Sequence, residues 1–489
     1  MSRLKELFSD TAIYGLSSVV ARFLGYLLVP FYTSYFLPGE YGIIGLIYSG
    51  IGFLNVLFTF GMESSYIRYA TERKGSEDVF RTLQSAILLV GTLLAVLMML
   101  GSEALQPLMS LTRPDADTLY LLLIGILWFD ALSVVPFAEL RLIRKAWLYA
   151  GVRLANVIVN LSLNFWLVAG LGWGIEAVLW SNIVASVLTT LVLGVLTRKQ
   201  LSGRFDTSLL KTALLFGLPY VPNGLGYAVN EFLDRFYLNA MNPEDIQRIY
   251  QTDYTAEDIT GIYNATYKLA IFMTLGVQMF RMAWQPFFMK YAAAQDNRTL
   301  FAGVFDWFNV IAGAIFLSIG LFAAEIAGFA IPFTGGATLI DSRYWAGLPI
   351  VPFLLAAYWF QGWFVNFSAG IFIKDQTSKL PAITLIGASI TILANIWMVP
   401  AFGMTGPAMV KILAYATMSL LLLHYARRAM PVDYRVGTAL VMMGVAGLLV
   451  WLGTGSPLEW MHGAGVRTLL LSCGLLFVFF FGKPRKGLG

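Results

Sequence analysis

Five ionisable side chains, Arg22, Asp130, Arg153, Lys268 and Lys411, lie inside stretches otherwise apolar and long enough to cross a bilayer. A charge at the centre of the hydrocarbon costs about 2.5–3.5 kcal/mol on insertion scales, so such residues persist where a bundle encloses a polar interior. All but Asp130 are cations. Arg offers a planar fork of donors for phosphate oxygens and Lys a mobile point charge, so the set suits an anionic cargo such as a pyrophosphate. At 1.5 Å per residue, Arg22 lies roughly 18 Å into its segment, and Arg153, Lys268 and Lys411 roughly 10–12 Å from the nearer end. The other reading is that the cations pair with acids inside the bundle. Asp130 would then neutralise Arg22 or Arg153. Asp130 is also the candidate for ion coupling, because a buried carboxylate can take up H⁺ or help to bind Na⁺.

Further polar residues follow helical spacing. Arg153, Asn156, Asn160 and Asn164 recur at steps of three, four and four, which puts them on one face of a helix. A stripe of amides facing lipid would be unsatisfied, so it must face the interior. There it bonds sugar hydroxyls or neighbouring helices. Glu231, Asp234 and Arg235 stand near one end of another apolar stretch. Glu231 and Arg235 have i,i+4 spacing, which fits an outer-gate ion pair or an ordinary interfacial bridge. An aromatic run, Tyr358, Trp359, Phe360, Trp363 and Phe364, could stack sugars or simply pack.

The elements that position these residues are membrane helices. The 489-residue chain is 58% hydrophobic and 12% charged. About fourteen apolar runs reach the roughly 20 residues that a bilayer requires. They cover about 9–37, 41–67, 80–101, 118–140, 147–170, 172–197, 211–239, 260–284, 300–323, 347–372, 380–400, 403–426, 435–454 and 465–482. The expected fold class is all-α, a polytopic integral membrane protein. Cys473 is the single cysteine, and His424 and His462 are isolated, so neither a disulfide framework nor a metal site is expected. No cofactor is expected beyond a coupling ion, H⁺ or Na⁺. No phosphate-binding loop, zinc-protease motif or Ser/His/Asp set is present, so the chain is not expected to be an enzyme.

Basic residues fix an expected orientation. With the N-terminus inside, inner loops carry Arg68, Arg81, Arg141, Arg144, Lys145, Arg198, Lys199, Arg204, Lys374, Lys379, Arg427 and Arg428, among others. Outer loops carry Arg113, Arg248, Arg343 and Arg467. This asymmetry places both termini in the cytoplasm and accounts for the pI near 9.0 without nucleic acid. A weak repeat relates Thr11–Leu16 to Thr212–Leu218 and Gly25-Tyr26 to Gly226-Tyr227, six spans apart. Span 211–239 contains Gly217, Pro219, Pro222, Gly224 and Gly226, and the first span contains Gly25 and Pro30. Broken helices at matching places in two halves mark moving elements beside a substrate site. The acidic outer loop 239–259 reads as a mouth gate or a solvated insertion.

The chain resembles a known family. Ile13-Tyr14-Gly15-Leu16 through Arg22-Phe23-Leu24-Gly25, Pro30-Phe31-Tyr32-Thr33 and Glu40-Tyr41-Gly42 are similar to the Wzx-type polysaccharide flippases. So are Gly217-Leu218-Pro219-Tyr220-Val221-Pro222-Asn223 with Asp234-Arg235, Gly261-Ile262-Tyr263 through Trp284-Gln285-Pro286-Phe287, and Tyr344-Trp345-Ala346-Gly347. The wider group is the multidrug/oligosaccharidyl-lipid/polysaccharide (MOP) exporter superfamily, with the lipid II flippases and MATE drug exporters. The resemblance implies two six-helix lobes forming a V-shaped cavity, at 1–200 and 207–430, then two further helices and a basic tail at 431–489. It implies translocation of a polyprenyl-pyrophosphate-linked oligosaccharide, an O-antigen, capsule or exopolysaccharide unit, to the outer leaflet of a bacterial cytoplasmic membrane. Arg22 matches the first-helix arginine of the cationic cavity in such flippases. Arg153, Lys268 and Lys411 are not carried over with it. The enlarged loop after span 211–239 departs from the family's short turn.

The function expected is therefore a flippase working by alternating access. Its expected partners are the lipid-linked oligosaccharide, membrane lipids, and a polysaccharide polymerase and chain-length regulator. The alternatives are a MATE-like drug/cation antiporter, disfavoured by the basic cavity, and a lipid II flippase. A silent scaffold and a membrane glycosyltransferase are further classes. Mid-membrane charges weigh against the first, and the scarcity of long polar outer loops weighs against the second.

Overall fold

A computed structural model describes residues 20, 24–26, 28–72, 76–109, 111–331 and 336–484. Arg22 lies outside the described residues. The chain is a multi-pass, all-α membrane protein. Eleven helices among the described residues are long and apolar enough to span a bilayer. The three remaining apolar runs of the sequence are special cases. The run 9–37 is described mainly as α1 (Leu28–Tyr35). The run 211–239 is split into α9 (Thr207–Gly217) and α10 (Tyr220–Asn239). A helix breaks readily here, because Pro219 lacks an N–H to donate back into the preceding turn, although Leu218 before it keeps helical angles. The run 260–284 is interrupted by a 3₁₀ turn, Lys268–Ala270.

Two compact units divide the chain, Met1–Asn239 and Ala240–Gly489. In the first, α2 (Pro38–Thr59) starts with Pro38 at its first turn and the Glu40 carboxylate accepting from the Leu37 N–H at 2.9 Å. Phe60 and Gly61 then take positive φ, 30° and 75°, and turn the chain into α3 (Met62–Glu72). A side chain on Gly61 would collide with the Gly217 carbonyl, so the two glycines let α9 approach this corner. Ser65 Oγ completes the contact, donating to the Ala213 carbonyl at 2.9 Å. Residues 207–239, which open the second lobe of the sequence reading, thus pack within this first unit.

The unit continues with α4 (Glu77–Leu100), the short α5 (Ser102–Leu108), α6 (Ala116–Leu142), α7 (Ala146–Asn164) and α8 (Glu176–Leu196). Phe165–Gly170 extends α7 as a π-helical turn. The basic connector after α8 is fastened to α4. Arg204 N–H donates to Asp78 Oδ1 at 2.6 Å and Asp206 N–H to Thr82 Oγ1 at 3.0 Å. Asp206 then caps α9 by accepting from the Leu209 N–H.

In the second unit, α11 (Pro243–Tyr250) occupies the expected outer loop. It is tied to the turn joining α16 (Lys379–Phe402) and α17 (Thr405–Ala429). Arg248 Nη2 donates to the Pro400 carbonyl at 2.7 Å, and the Met404 N–H donates to Tyr250 Oη at 2.7 Å. A helix end leaves carbonyls without intrahelical donors, and a cation is favoured there. Gly403 takes φ +56°, and a side chain on it would collide with the Tyr250 hydroxyl. Burial pushes the Tyr250 hydroxyl up to about 12.

Next come α12 (Ala256–Tyr267), α13 (Ile271–Lys290) and α14 (Asn297–Ala327). A 3₁₀ segment, Ser342–Ile350, leads into α15 (Val351–Ile373). The aromatic run on α15 is largely packing: Trp359 and Trp363 both donate their indole N–H to Asn309 Oδ1, at 2.8 and 2.7 Å. The last helices, α18 (Val436–Thr454) and α19 (Ala464–Gly482), lie on α14. Small residues allow the approach: Gly313 and Gly474 face Val478 and Leu317, and Gly320 faces Val450. Arg435 pairs with buried Asp306 of α14 at 3.4 Å and donates to the Lys483 carbonyl.

Candidate functional site

The site begins at a defect in α6. Pro136 lacks an N–H, so the Leu132 carbonyl one turn earlier loses its helical donor. Gln84 of α4 fills the gap, with Nε2 donating to that carbonyl at 3.0 Å. The neighbouring Phe129 carbonyl accepts Ser133 Oγ at 3.2 Å and Thr190 Oγ1 of α8 at 2.9 Å. Apolar spans therefore carry a polar patch on α6, and Asp130 stands within it.

Asp130 Oδ1 accepts from Ser186 Oγ of α8 at 2.6 Å. One turn away on α8, Asn182 donates to Tyr48 Oη of α2 at 2.9 Å. On α7, Asn156 donates to Thr189 Oγ1 at 2.9 Å. Arg153 lies over the Phe137 ring, 4.7 Å from its centroid, and 5.6 Å from that of Tyr149. Such stacking leaves the guanidinium edge free for an anion. Asp130, Arg153, Asn156, Asn182, Ser186 and Thr189 line one cavity of about 240 Å³, which Asn55, Glu63 and Ser133 also border. Among the described residues, Asp130 and Arg153 form no ion pair with each other or with a third group. Glu63 is paired with Arg141 of α6.

The asparagine stripe divides. Asn156 joins Arg153 at the cavity. Asn164 is fully buried, accepts Tyr32 Oη of α1 at 2.8 Å, and donates to Asn160 Oδ1 at 3.1 Å. Neither amide borders this cavity: Asn164 ties α7 to α1, and Asn160 holds Asn164 from one turn earlier on α7.

Glu231, Asp234 and Arg235 are buried on α10. Arg235 Nη1 pairs with Asp234 at 2.7 Å and also donates to the Glu231 main-chain carbonyl. The guanidinium thus meets both the Glu231 backbone and the adjacent Asp234 carboxylate.

In the second unit, Lys268 opens the 3₁₀ turn between α12 and α13. Lys411 is buried on α17, with Nζ 5.4 Å from the ring centroid of Tyr267, next to Lys268 in sequence. The Tyr267 and Tyr358 hydroxyls hydrogen-bond, and Gln361 donates to Tyr415 Oη at 3.3 Å. The fold thus sets Lys411 in a tyrosine cluster at the break that Lys268 begins.

Sequence reasoning missed Tyr48, Ser133, Asn182, Ser186 and Thr189. A signal existed: Asn182, Ser186 and Thr189 recur at steps of four and three on an apolar span, the pattern that exposed Arg153 and Asn156. Serine and threonine often return their hydroxyls to their own helix, which hides the pattern; Thr189 also donates to Ala185.

A family model described as "Polysaccharide biosynthesis protein" matches residues 7–292. No curated protein sequence matches the chain. Among solved structures, the lipid II flippase MurJ in an inward closed conformation superimposes with a TM-score of 0.68 at 13% identity, over 95% of this chain and 97% of that one. An inward-facing multidrug resistance MATE family transporter of the MOP superfamily gives 0.65 at 15% identity, over 86% and 95%. A MOP superfamily transporter from Pyrococcus furiosus, described by the reverse polarity of its binding pocket, gives 0.57 at 15% identity, over 87% and 96%. At these identities the likeness is one of fold, the MOP transporter fold expected from the sequence.

Proposed function

The chain belongs to the polysaccharide biosynthesis protein family, and from that premise we propose that it moves a polyprenyl-pyrophosphate-linked oligosaccharide from the inner to the outer leaflet of a bacterial cytoplasmic membrane by alternating access. The observation that carries this reading is the cavity shared by Arg153 and Asp130 among α2, α6, α7 and α8. A stacked guanidinium with free donors suits a phosphate oxygen. Asn156, Asn182 and the hydroxyls of Ser186 and Thr189 suit sugar hydroxyls. Asp130 is the proposed coupling group for H⁺ or Na⁺, because it sits beside Arg153 without being neutralised by a salt bridge. Arg22, Lys268 and Lys411 are proposed as further phosphate contacts along the route. Glu231, Asp234 and Arg235 are a proposed outer gate. Both termini would be cytoplasmic, and a polymerase and chain-length regulator would receive the flipped glycan.

The test is translocation in proteoliposomes, read as accessibility of a lipid-linked oligosaccharide to an external glycosidase. Arg153→Ala should abolish translocation in protein that still inserts and elutes as a single species, and Arg153→Lys should keep part of it. Wild-type rates from Arg153→Ala would exclude the phosphate role. Export of a cationic dye by the wild type, with no glycan translocation, would favour the antiporter reading.

A further inference from the structure

The last turns of α17 carry a cluster of cations that the Arg153 cavity does not use. Leu420, Leu423, His424, Arg427 and Arg428 recur at steps of three and one, which puts all five on one helical face. Together they line a cavity of about 390 Å³. The His424, Arg427 and Arg428 side chains are exposed, so a molecule in the cavity reaches all three. Leu420 is exposed as well, and Leu423 is buried. Lys379 of α16 adds a fourth cation at this end, with Nζ 4.7 Å from the ring centroid of Tyr425, the residue after His424.

Internal partners do not account for the cluster. Among the described residues, neither Arg427 nor Arg428 forms an ion pair. A cation at a helix C-terminus often answers the last carbonyls of its own helix. Arg427 instead donates through Nη2 to the Tyr434 carbonyl beyond the helix, at 3.4 Å, which leaves most of its fork open.

Three observations limit the occupant. Two guanidinium forks without a carboxylate between them suit phosphate oxygens. The helix is a candidate membrane span, so its end stands at the level of lipid headgroups. Leu423 and Leu420 lie about one and two turns further into that span on the same face, where an acyl chain continues from a phosphate. No carboxylate lines the cavity to receive the ammonium of a zwitterionic headgroup.

We propose that this end of α17 binds one anionic glycerophospholipid. Its phosphate sits between Arg427 and Arg428 with His424 beside it, and its chain runs along Leu423 and Leu420. The site is distinct from the cavity proposed for the cargo, and it holds for either orientation of the chain in the membrane.

The full-length protein in mild detergent is offered equal amounts of phosphatidylglycerol and phosphatidylethanolamine and examined by native mass spectrometry. The wild type should retain one phosphatidylglycerol in preference. Each arginine should contribute about fivefold to that preference, so Arg427→Gln combined with Arg428→Gln should lower it about twentyfold. Arg427→Lys combined with Arg428→Lys should keep most of it, because the charges survive. Arg113→Gln combined with Arg343→Gln removes the same charge from arginines already paired with Asp115 and Asp341, and should match the wild type. Leu420→Asn should weaken retention, which a site for a soluble anion would not show. Equal retention of both lipids by the wild type, or an equal loss in the Arg113 and Arg343 pair, would overturn the proposal. So would release of the lipid by excess inorganic phosphate where chloride of the same ionic strength leaves it bound.

Discussion

Ser186 Oγ donates to Asp130 Oδ1 across 2.6 Å, joining α8 to α6 inside the first unit. The hydroxyl gives the carboxylate a hydrogen bond but no countercharge, and Arg153 shares the same cavity without pairing. An acid held in this way can change its occupancy without breaking an ion pair.

Asp130→Asn keeps an acceptor for Ser186 and removes the charge. If the carboxylate couples transport to an ion gradient, the variant should be stable and should still bind the lipid-linked glycan, but its transport should no longer respond to the gradient. Proteoliposomes with and without an imposed H⁺ or Na⁺ gradient read this directly. Unchanged gradient dependence would remove Asp130 from coupling.

Pro136 opens α6 for Gln84. Pro136→Ala should return an N–H to the Leu132 carbonyl and displace Gln84, stiffening the helix beside the cavity. The melting temperature should rise or hold, since Pro costs a helix interior roughly 3 kcal/mol where nothing compensates. Transport should fall. A variant with wild-type transport would show that the defect only serves packing.

Asn309 accepts both the Trp359 and Trp363 indoles. Asn309→Leu strands two buried donors at about 1–3 kcal/mol each, a large share of marginal stability. Thermal unfolding in detergent should move down by several degrees, with Asn309→Asp less affected. No shift would mean that water or another group replaces the amide.

The Tyr250 hydroxyl accepts from Met404 and is held above the usual phenol range by burial. A raised folded pKa means that its contribution is complete below the unfolded value, about 10, and is lost as pH rises toward the folded value. Tyr250→Phe should free α11 from the α16–α17 turn at neutral pH, and the wild type should show the same release only in strong alkali. Limited proteolysis at 239–259 measures both. A resistant Tyr250→Phe variant would assign the fastening to Arg248 alone.

Single cysteines at Ser76 and Lys379, in a background lacking Cys473, should be protected from an impermeant thiol reagent in intact cells. A cysteine at Ser342 should be labelled. Labelling at Ser76 would reverse the proposed orientation.

Hydropathy alone determined that this chain is a helical membrane bundle, because continuous apolar runs of about 20 residues fit helices crossing a bilayer, whereas a barrel strand needs only about 9–11 residues. Residue spacing singled out Asp130, Arg153 and Asn156, since a charge or amide amid apolar residues is visible one-dimensionally. It could not tell Asn156 from Asn160 and Asn164. Those positions share a helical face, and only the neighbours, Thr189 for one and Tyr32 for another, separate a cavity wall from a helix clasp. Tertiary structure also decided that Ser186 meets Asp130, that Gln84 answers Pro136, and that Arg235 takes Asp234. Each is a contact whose partner is fixed by how helices pack, and a side chain's own spacing carries no record of what stands opposite it.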